Sequence, residues 1–546
     1  MLHKLTATIK VFYETNTAPS LHHMWLTRQP IVWVLALFIG ILGAYATMAL
    51  VHAIGLIQWL WVAYDAEDLA ISAVSTKPAW QIIAGPTIGG IVVGLLIAYL
   101  APGRRAEGMA DVIAARAVKG AHIPWKTGLA SAVISTISLG AGASAGREGP
   151  AVHLGATIAS ALGSKLSLPF AARRVLLACG AAAAVSASFN APIAGVIFAH
   201  EVILGHYAVS ALAPIIMSSV IATTITRFYL GNGPAFEIPA YHITSNWEFP
   251  AFLLLGLVCG LIAVALQTTI ARADTTAKAI SMPIWLRPVI GGLIIGIFAV
   301  FIPEIIGVGY EVTNLALHGK YTLGFLFVLL FAKTLAIAIT IASRFGGGIF
   351  SPSLYLGAVA GGAFGLIAAS IYPELASGSG VYSIVGMGAV AGAVLGAPLS
   401  TVLIVFELTG GYEITIALLL AVSVATITLK AIAGHSFFSW QLSMRGLFLD
   451  HGPQTNIVKT WTVKDFFTPL KADETPDLSQ FIDRPRLTPD NTLEQAFKVF
   501  GKGNYTRIPV FTDITDDNSH IGWADYSNAL VEYNRALVAA NEEAHR

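Results

Sequence analysis

One short motif places opposite charges side by side within an apolar stretch. Gly146-Arg147-Glu148-Gly149-Pro150 lies inside a run of small and apolar residues from Gly128 to Leu162. Ionised side chains are costly at membrane depth, so this Arg and Glu require mutual pairing or a function. Pro is tolerated in the first turn of a helix, so Pro150 predicts that a helix begins here. A helix N-terminus inside a membrane offers free N–H groups and a positive dipole end, which favour an anion.

The composition indicates a protein that crosses a membrane many times. Of its 546 residues, 55% are hydrophobic and only 12% are charged. A soluble domain carries about twice that charged fraction. Apolar runs long enough to span a bilayer recur along the chain, beginning with Ile31–Ile54. The net charge of +1 and the lack of a basic tract argue against nucleic acid as a partner.

Positively charged residues predict which side of the membrane the chain ends occupy. Residues 1–30 lack the apolar core and cleavage site of a signal peptide. Basic residues precede the first apolar run and flank the last one; they are Lys4, Lys10, Arg28, Lys430 and Arg445. By the positive-inside rule, we expect a cytoplasmic N-terminal segment and both termini in the cytoplasm. Cys179 and Cys259 lie in apolar runs, which predicts inert buried thiols rather than a disulfide or a metal site.

The apolar region contains an internal repeat. Pro192 of an Asn-Ala-Pro sequence and the following Glu201 match Pro398 of a Gly-Ala-Pro sequence and Glu407, both at an offset of 206 positions. The two glutamates are expected to be structural or interfacial rather than anion ligands. The motif at Gly146–Pro150 has its own match further along.

That second match predicts the architecture. Gly348–Pro352 corresponds to Gly146–Pro150 at an offset of 202 positions. Four prolines at paired positions favour broken helices over simple kinks. We therefore predict an all-α, polytopic membrane domain at 31–446 with broken and re-entrant helices. It comprises two inverted-topology repeats at about 80–230 and 285–433, with ligand sites at their interface.

The last hundred residues predict a different kind of domain. Beyond Gly446 the chain becomes polar and charged. Two short strands are predicted at Thr506–Phe511 and His520–Trp523, followed by a helix at Tyr526–Ala540. We expect 447–546 to form a small cytoplasmic α/β domain.

These motifs together resemble the CLC family of chloride channels and chloride–proton antiporters. The resemblance covers about residues 30–446 and rests on Gly146–Pro150, Gly348–Pro352 and Asn190–Pro192 with its downstream Glu201. It implies a lipid-embedded homodimer, with one anion path per subunit, in a bacterial inner membrane. The C-terminal segment looks like a single CBS repeat, a module that family members often carry in pairs.

The resemblance assigns a gate and an anion site. In the family pattern, the first motif's Glu competes with the anion, which makes Glu148 the gate. A charged carboxylate near helix N-termini occupies an anion site and leaves it when protonated. The alternative, pairing with Arg147 alone, is weaker because neighbours at a helix start rarely face each other. The ring of Phe350 is expected to pack while its N–H binds. The residues assigned to the anion are Gly146, Arg147, Gly149, Ile349 and Phe350.

Two positions depart from the family's side-chain donors. Glu107, beside Gly108, stands where the family often has a Ser at the anion site. Either Glu107 points to water or is protonated, or the alignment shifts locally here; the sequence leaves both open. Phe438 replaces a family Tyr and has no O–H to donate. The central site would then rest mainly on backbone N–H groups.

A third departure concerns protons. Many family exchangers have a second Glu after the Asn-Ala-Pro helix that accepts the internal proton, whereas this chain has Val202. His200 is adjacent and titratable, but a lone His on an apolar helix is more often structural. The sequence therefore favours uncoupled passage of chloride or another small anion. The alternatives are a chloride–proton antiporter with a different internal acid, and a non-transporting membrane sensor.

No enzyme activity, cofactor or metal is expected. In the CBS-like segment, Asp525 and Asn528 stand where the nucleotide motif usually has Thr and Asp. An acid at the first position disfavours a nearby phosphate, so nucleotide binding is not expected.

Overall fold

The computed structural model describes most of the chain. The described residues are 29–63, 70–118, 120–233, 236, 238, 242–449, 454, 457–459, 461–470, 485–503, 505–513, 516 and 519–545. The predicted segment 1–30 lies outside them, apart from its last two residues. The chain divides into two compact units, with the boundary between Ser436 and Phe437.

The first unit consists of helices. Eight helical segments of the described chain are long and apolar enough to cross a membrane, which agrees with the prediction of a polytopic protein. The α-helices of this unit are α1 (Gln29–Val62), α2 (Ala70–Ser75), α3 (Ala79–Leu100), α4 (Met109–Val118), α5 (Trp125–Gly140), α6 (Glu148–Lys165), α7 (Phe170–Phe189), α8 (Pro192–Phe198), α9 (Val209–Leu230), α10 (Phe249–Ala279), α11 (Leu286–Phe301), α12 (Tyr310–Leu317), α13 (Leu323–Ala342), α14 (Phe350–Ile371), α15 (Ser379–Leu395), α16 (Pro398–Thr409) and α17 (Tyr412–Ala433).

The Asn-Ala-Pro and Gly-Ala-Pro sequences end one helix and begin the next. Asn190 has φ +57° and Gly396 has φ +68°, the left-handed conformation that terminates helices α7 and α15. Two residues later, Pro192 and Pro398 occupy the start of α8 and α16, where a missing N–H costs no hydrogen bond. The predicted broken helices are therefore confirmed at both repeats.

A glycine-mediated helix crossing also occurs twice. A Cβ atom added at Gly155 of α6 would collide with the carbonyl oxygen of Gly180 in α7, and the reverse holds as well. In the second repeat, Gly357 of α14 and Gly386 of α15 meet in the same way. Small residues let helix backbones approach closely in a membrane, where apolar burial gives no net drive to associate. The duplication thus extends from the motifs to the packing.

The second unit is a small α/β fold. It contains α18 (Phe437–Ser443), β1 (Thr468–Pro469), α19 (Leu493–Gly503), β2 (Arg507–Phe511), β3 (His520–Asp525) and α20 (Tyr526–His545). The strands form an antiparallel sheet in the order β1-β3-β2. Phe500, Ile508 and Val510 lie in its hydrophobic core. The two predicted strands and the final helix are confirmed.

Candidate anion site at two facing helix ends

The two repeated Gly motifs pair directly with each other. The N–H of Gly146 donates to the carbonyl of Gly348, and the N–H of Gly348 donates to the carbonyl of Gly146, both at 2.7 Å. A side chain at Gly149 would have its Cβ 3.2 Å from the Cα of Gly348. The glycines therefore allow the starts of α6 and α14 to meet. Both helix ends carry positive dipole charge, so their junction favours a negative group.

The negative group at this junction is the carboxylate of Glu148. This side chain is 0% exposed. Its Oε1 accepts a hydrogen bond from the Tyr310 hydroxyl at 2.8 Å and another from the Ser351 hydroxyl. Its Oε2 is buried and accepts no hydrogen bond from the described residues. A Cβ at Gly146 would lie 2.7 Å from Oε2, so a larger residue there would displace the carboxylate.

Arg147 supports the same arrangement through the ring of Tyr310. Its guanidinium carbon lies 4.8 Å from the centroid of the Tyr310 ring, a cation–π geometry. Phe236 packs edge-on against that ring, with centroids 4.8 Å apart. Tyr310 is therefore fixed by aromatic and charged neighbours while its hydroxyl reaches Glu148.

A buried lysine holds the chain that leads to Tyr310. Lys333 of α13 is fully buried, and its ammonium donates to the carbonyls of Ile305 and Gly307 at 3.0 Å each. The ammonium also lies 4.9 Å from the centroid of the Tyr355 ring. Because these carbonyls precede α12 by only a few residues, Lys333 positions the start of that helix.

The start of α14 presents its backbone and packs its side chains. The Phe350 ring is buried, with its centroid 5.0 Å from that of Phe189 and 6.0 Å from that of Phe198. Ile349 is buried as well. The first N–H groups of a helix have no intrahelical acceptor, so this end remains a donor surface. The ring of Phe350 thus packs as expected.

Glu107 does not simply point to water. Its carboxylate Oε2 lies 3.3 Å from Nε2 of His153 on α6, and its side chain is 20% exposed. Its backbone N–H donates to the Ser131 hydroxyl at 3.0 Å. The neighbouring N–H of Gly108 donates to Asp111 Oδ2, also at 3.0 Å. Glu107 therefore contacts the helix that carries Glu148, whereas Gly108 contacts the first turn of α4.

The remaining predicted residues belong to other elements. Val202 and His200 belong to a π-helical turn, Ala199–Leu204, that continues α8. Nδ1 of His200 lies 3.1 Å from the carbonyl of His206, and its ring stacks on Tyr207 at 5.9 Å, contacts of a structural histidine. Phe438 belongs to the second unit, where its buried ring contacts Phe437 at 6.0 Å.

Glu201 and Glu407 cap helices of the opposite repeat. The Glu407 carboxylate accepts the N–H groups of Ile193 and Ala194 at 3.0 and 2.7 Å, at the start of α8. The Glu201 carboxylate accepts those of Leu399 and Ser400 at 3.0 and 2.8 Å, at the start of α16. An acid at a helix N-terminus satisfies free N–H groups and the dipole. These two helix ends are therefore already occupied by carboxylates of the protein.

Comparison with known proteins identifies the family. Residues 89–430 match the family described as voltage gated chloride channel. The chain belongs to this CLC family. A ClcB-like chloride channel protein of Ralstonia nicotianae is 34% identical over 409 residues, which cover 74% of this chain and 95% of that protein. Members of the CLC family are membrane channels and transporters of chloride or other anions.

Solved structures share the fold. A slow cyanobacterial Cl⁻/H⁺ antiporter superposes with a TM-score of 0.63 at 23% identity, covering 76% of this CLC chain and 96% of that one. A CLC-type fluoride/proton antiporter superposes with the same TM-score at 24% identity, covering 76% and 98%. The predicted fold of the membrane domain is thereby confirmed, and the chain is an integral, multi-pass membrane protein.

Three residues at the site were missing from the sequence prediction. Ser351 lies within the second Gly motif, so its proximity to Glu148 could have been inferred from the pairing of the motifs. Tyr310 is 162 positions from Glu148 and belongs to a short helix outside the matched motifs. His153 follows Glu148 on the same helix, but its contact with Glu107 depends on how α4 and α6 pack. No sequence signal points to those two contacts.

Proposed function

We propose that this CLC protein conducts chloride or another small anion passively, with the carboxylate of Glu148 as the gate. The observation that supports this most is the position of that carboxylate. It is completely buried where the starts of α6 and α14 meet, and it occupies a place that suits a small anion. Two hydroxyl donors, from Tyr310 and Ser351, reach the same oxygen.

Glu148 can act as a gate because its carboxylate and the anion compete for the same donors. An ionised carboxylate and a chloride ion both favour hydroxyl and helix N–H donors. When Glu148 is ionised and bound to Tyr310, it excludes the anion. Protonation removes its charge, and a high anion concentration displaces it; either event opens the path. Anion flux should therefore rise as the pH falls and as the anion concentration rises.

Uncoupled transport is the leading form of this proposal because Val202 has no titratable group. The second candidate is an antiporter, and one observation favours it. The titratable side chains of Glu107, just before α4, and His153, on α6, contact each other. We further propose a homodimer with one path per subunit and with both chain ends in the cytoplasm.

The test is an ion-flux assay on the purified protein in liposomes. A chloride gradient is imposed, and chloride and proton movement are recorded together, with nitrate and fluoride as alternative anions. We expect chloride efflux without uphill proton movement. Glu148→Ala should increase efflux and remove the part of its pH dependence that arises from protonation of the gate. Glu374→Gln changes an exposed loop carboxylate and serves as the control.

The outcomes separate the candidates. Proton movement in fixed ratio to chloride would establish the antiporter instead. Unchanged flux in Glu148→Ala would remove the gate assignment. Absence of anion flux from every variant would leave the sensor alternative.

A further inference from the structure

A second contact between titratable side chains joins α6, the helix that begins at Glu148, to the chain before α4. His153 is 1% exposed, and its Nε2 faces the Glu107 carboxylate at 3.3 Å. Buried ionisable groups are costly unless they are paired, so the two side chains stabilise each other in a charge-dependent way. His153 follows Glu148 by five residues on α6, which separates the two positions by about 8 Å along the helix axis. Charge at the pair therefore acts on the site at Glu148.

We propose that Glu107 and His153 form a proton-binding pair that sets the electrostatic potential of the anion path. The proposal rests on the proposed function and names its regulation. With His153 protonated, its positive charge balances the Glu107 carboxylate. With His153 neutral, the negative charge of Glu107 remains and repels the permeating anion. Acidification thus promotes anion passage by a route separate from protonation of the gate.

Other charged groups near the pair contribute to the electrostatic potential around it. Arg105 binds Asp111 through two nitrogens at 2.8 and 2.5 Å, and the charge of Glu107 also acts on that guanidinium. The opposite charges of this ion pair balance each other. The other titratable side chains on α4, on α6 and on the elements that pack against them are Tyr45, His52, Arg116, Lys126, Lys165, Arg173, Arg174, Cys179, His200, Glu201 and Tyr355. Within the described residues, the one carboxylate within ion-pair distance of His153 is that of Glu107.

The size of the effect follows from Coulomb's law. A unit charge about 10 Å away, at an effective dielectric constant of about 20, changes the occupancy of an anion site by about tenfold. We therefore expect protonation of the pair to raise anion flux by about tenfold, independently of Glu148.

The experiment uses Glu148→Ala as the background, so that gate protonation does not contribute. Chloride efflux from liposomes is measured with equal pH on both sides, between about pH 8 and about pH 5.5. In this background, Glu107→Gln should give high flux at every pH, since the repelling charge is gone. His153→Gln should give low flux at every pH, since that charge is never balanced. His318→Gln, at an exposed histidine bonded to Asn314, should leave the curve unchanged.

The opposite signs of the two substitutions make the test decisive. A purely structural contact between α4 and α6 would lose flux in both variants and keep the same pH profile. A flux that does not change with pH in the Glu148→Ala background would also overturn the proposal that Glu107 and His153 bind a proton. If no variant conducts any anion, the proposed function itself fails, which is a different result from conduction with an unaltered pH profile. Tryptophan fluorescence melting of each variant identifies those that do not fold.

Discussion

Removing the Tyr310 hydroxyl should open the gate. In Tyr310→Phe the ring keeps its contacts with Arg147 and Phe236, but Glu148 Oε1 loses its 2.8 Å hydrogen bond. A hydrogen bond to a charged group contributes about 1.5–3 kcal/mol. Ser351 still donates to the same oxygen, so the lower end of that range applies. With 1.4 kcal/mol per factor of ten, the seated carboxylate should be destabilised by about tenfold or slightly more.

The assay is chloride efflux from liposomes at neutral pH. Tyr310→Phe should raise efflux, lower the chloride concentration at half-maximal flux, and leave the Glu148→Ala variant almost unaffected when the two are combined. Tyr382→Phe is a matched control, because Tyr382 is another buried tyrosine that donates to a carboxylate, that of Glu248 at 2.7 Å. It should change stability by a similar amount without changing chloride dependence.

Two results would refute this reasoning. If Tyr310→Phe lowered efflux with the same chloride dependence as the wild type, the hydroxyl would serve the conducting state rather than the closed one. If the effects of Tyr310→Phe and Glu148→Ala were additive, the hydroxyl would act independently of the carboxylate.

Three further substitutions test the scaffold. Glu201→Gln removes the charge that caps α16, which should lower the free energy of unfolding by about 1 kcal/mol. The melting temperature of the purified protein should therefore fall while its chloride selectivity stays unchanged, and Glu374→Gln serves as the control. The valine side chain in Gly155→Val would collide with the backbone of the facing helix, so this variant should show no monodisperse peak in size-exclusion chromatography. Gly324 has open space around it, so Gly324→Ala should elute like the wild type. Lys333→Met leaves two buried carbonyls without donors, which should lower the free energy of unfolding by about 2 kcal/mol. Because the loop before Tyr310 loses its anchor, chloride efflux should rise.

The sequence predicts the membrane fold well because its signals are local and duplicated. Proline after a left-handed residue marks a helix start, and paired offsets reveal which starts correspond. The gate site is only partly predictable. The Gly146–Pro150 motif identifies Glu148, and the matching Gly348–Pro352 motif contains Ser351 without marking it as a partner of Glu148. Tyr310 reaches the site through a tertiary contact that no sequence pattern indicates.

Charged residues show the same limit. The sequence identified Glu107 as an unusual acid but could not orient it, since orientation depends on the distance between α4 and α6. It placed Glu201 and Glu407 in a structural role, but the partners of each lie about 200 positions away. Side-chain contacts between repeats depend on assembled geometry, which spacing within one repeat does not contain.

The exchange of caps between the repeats has a consequence for how such a protein arises and assembles. A single repeat would leave the start of its own Pro helix without an acceptor and its own glutamate without donors. Two copies related by a two-fold axis in the membrane plane satisfy both needs at once, so a half-length ancestor could achieve the same bonding as an antiparallel dimer. Joined in one chain, the halves depend on each other, and the first repeat completes its structure only after the second has been inserted.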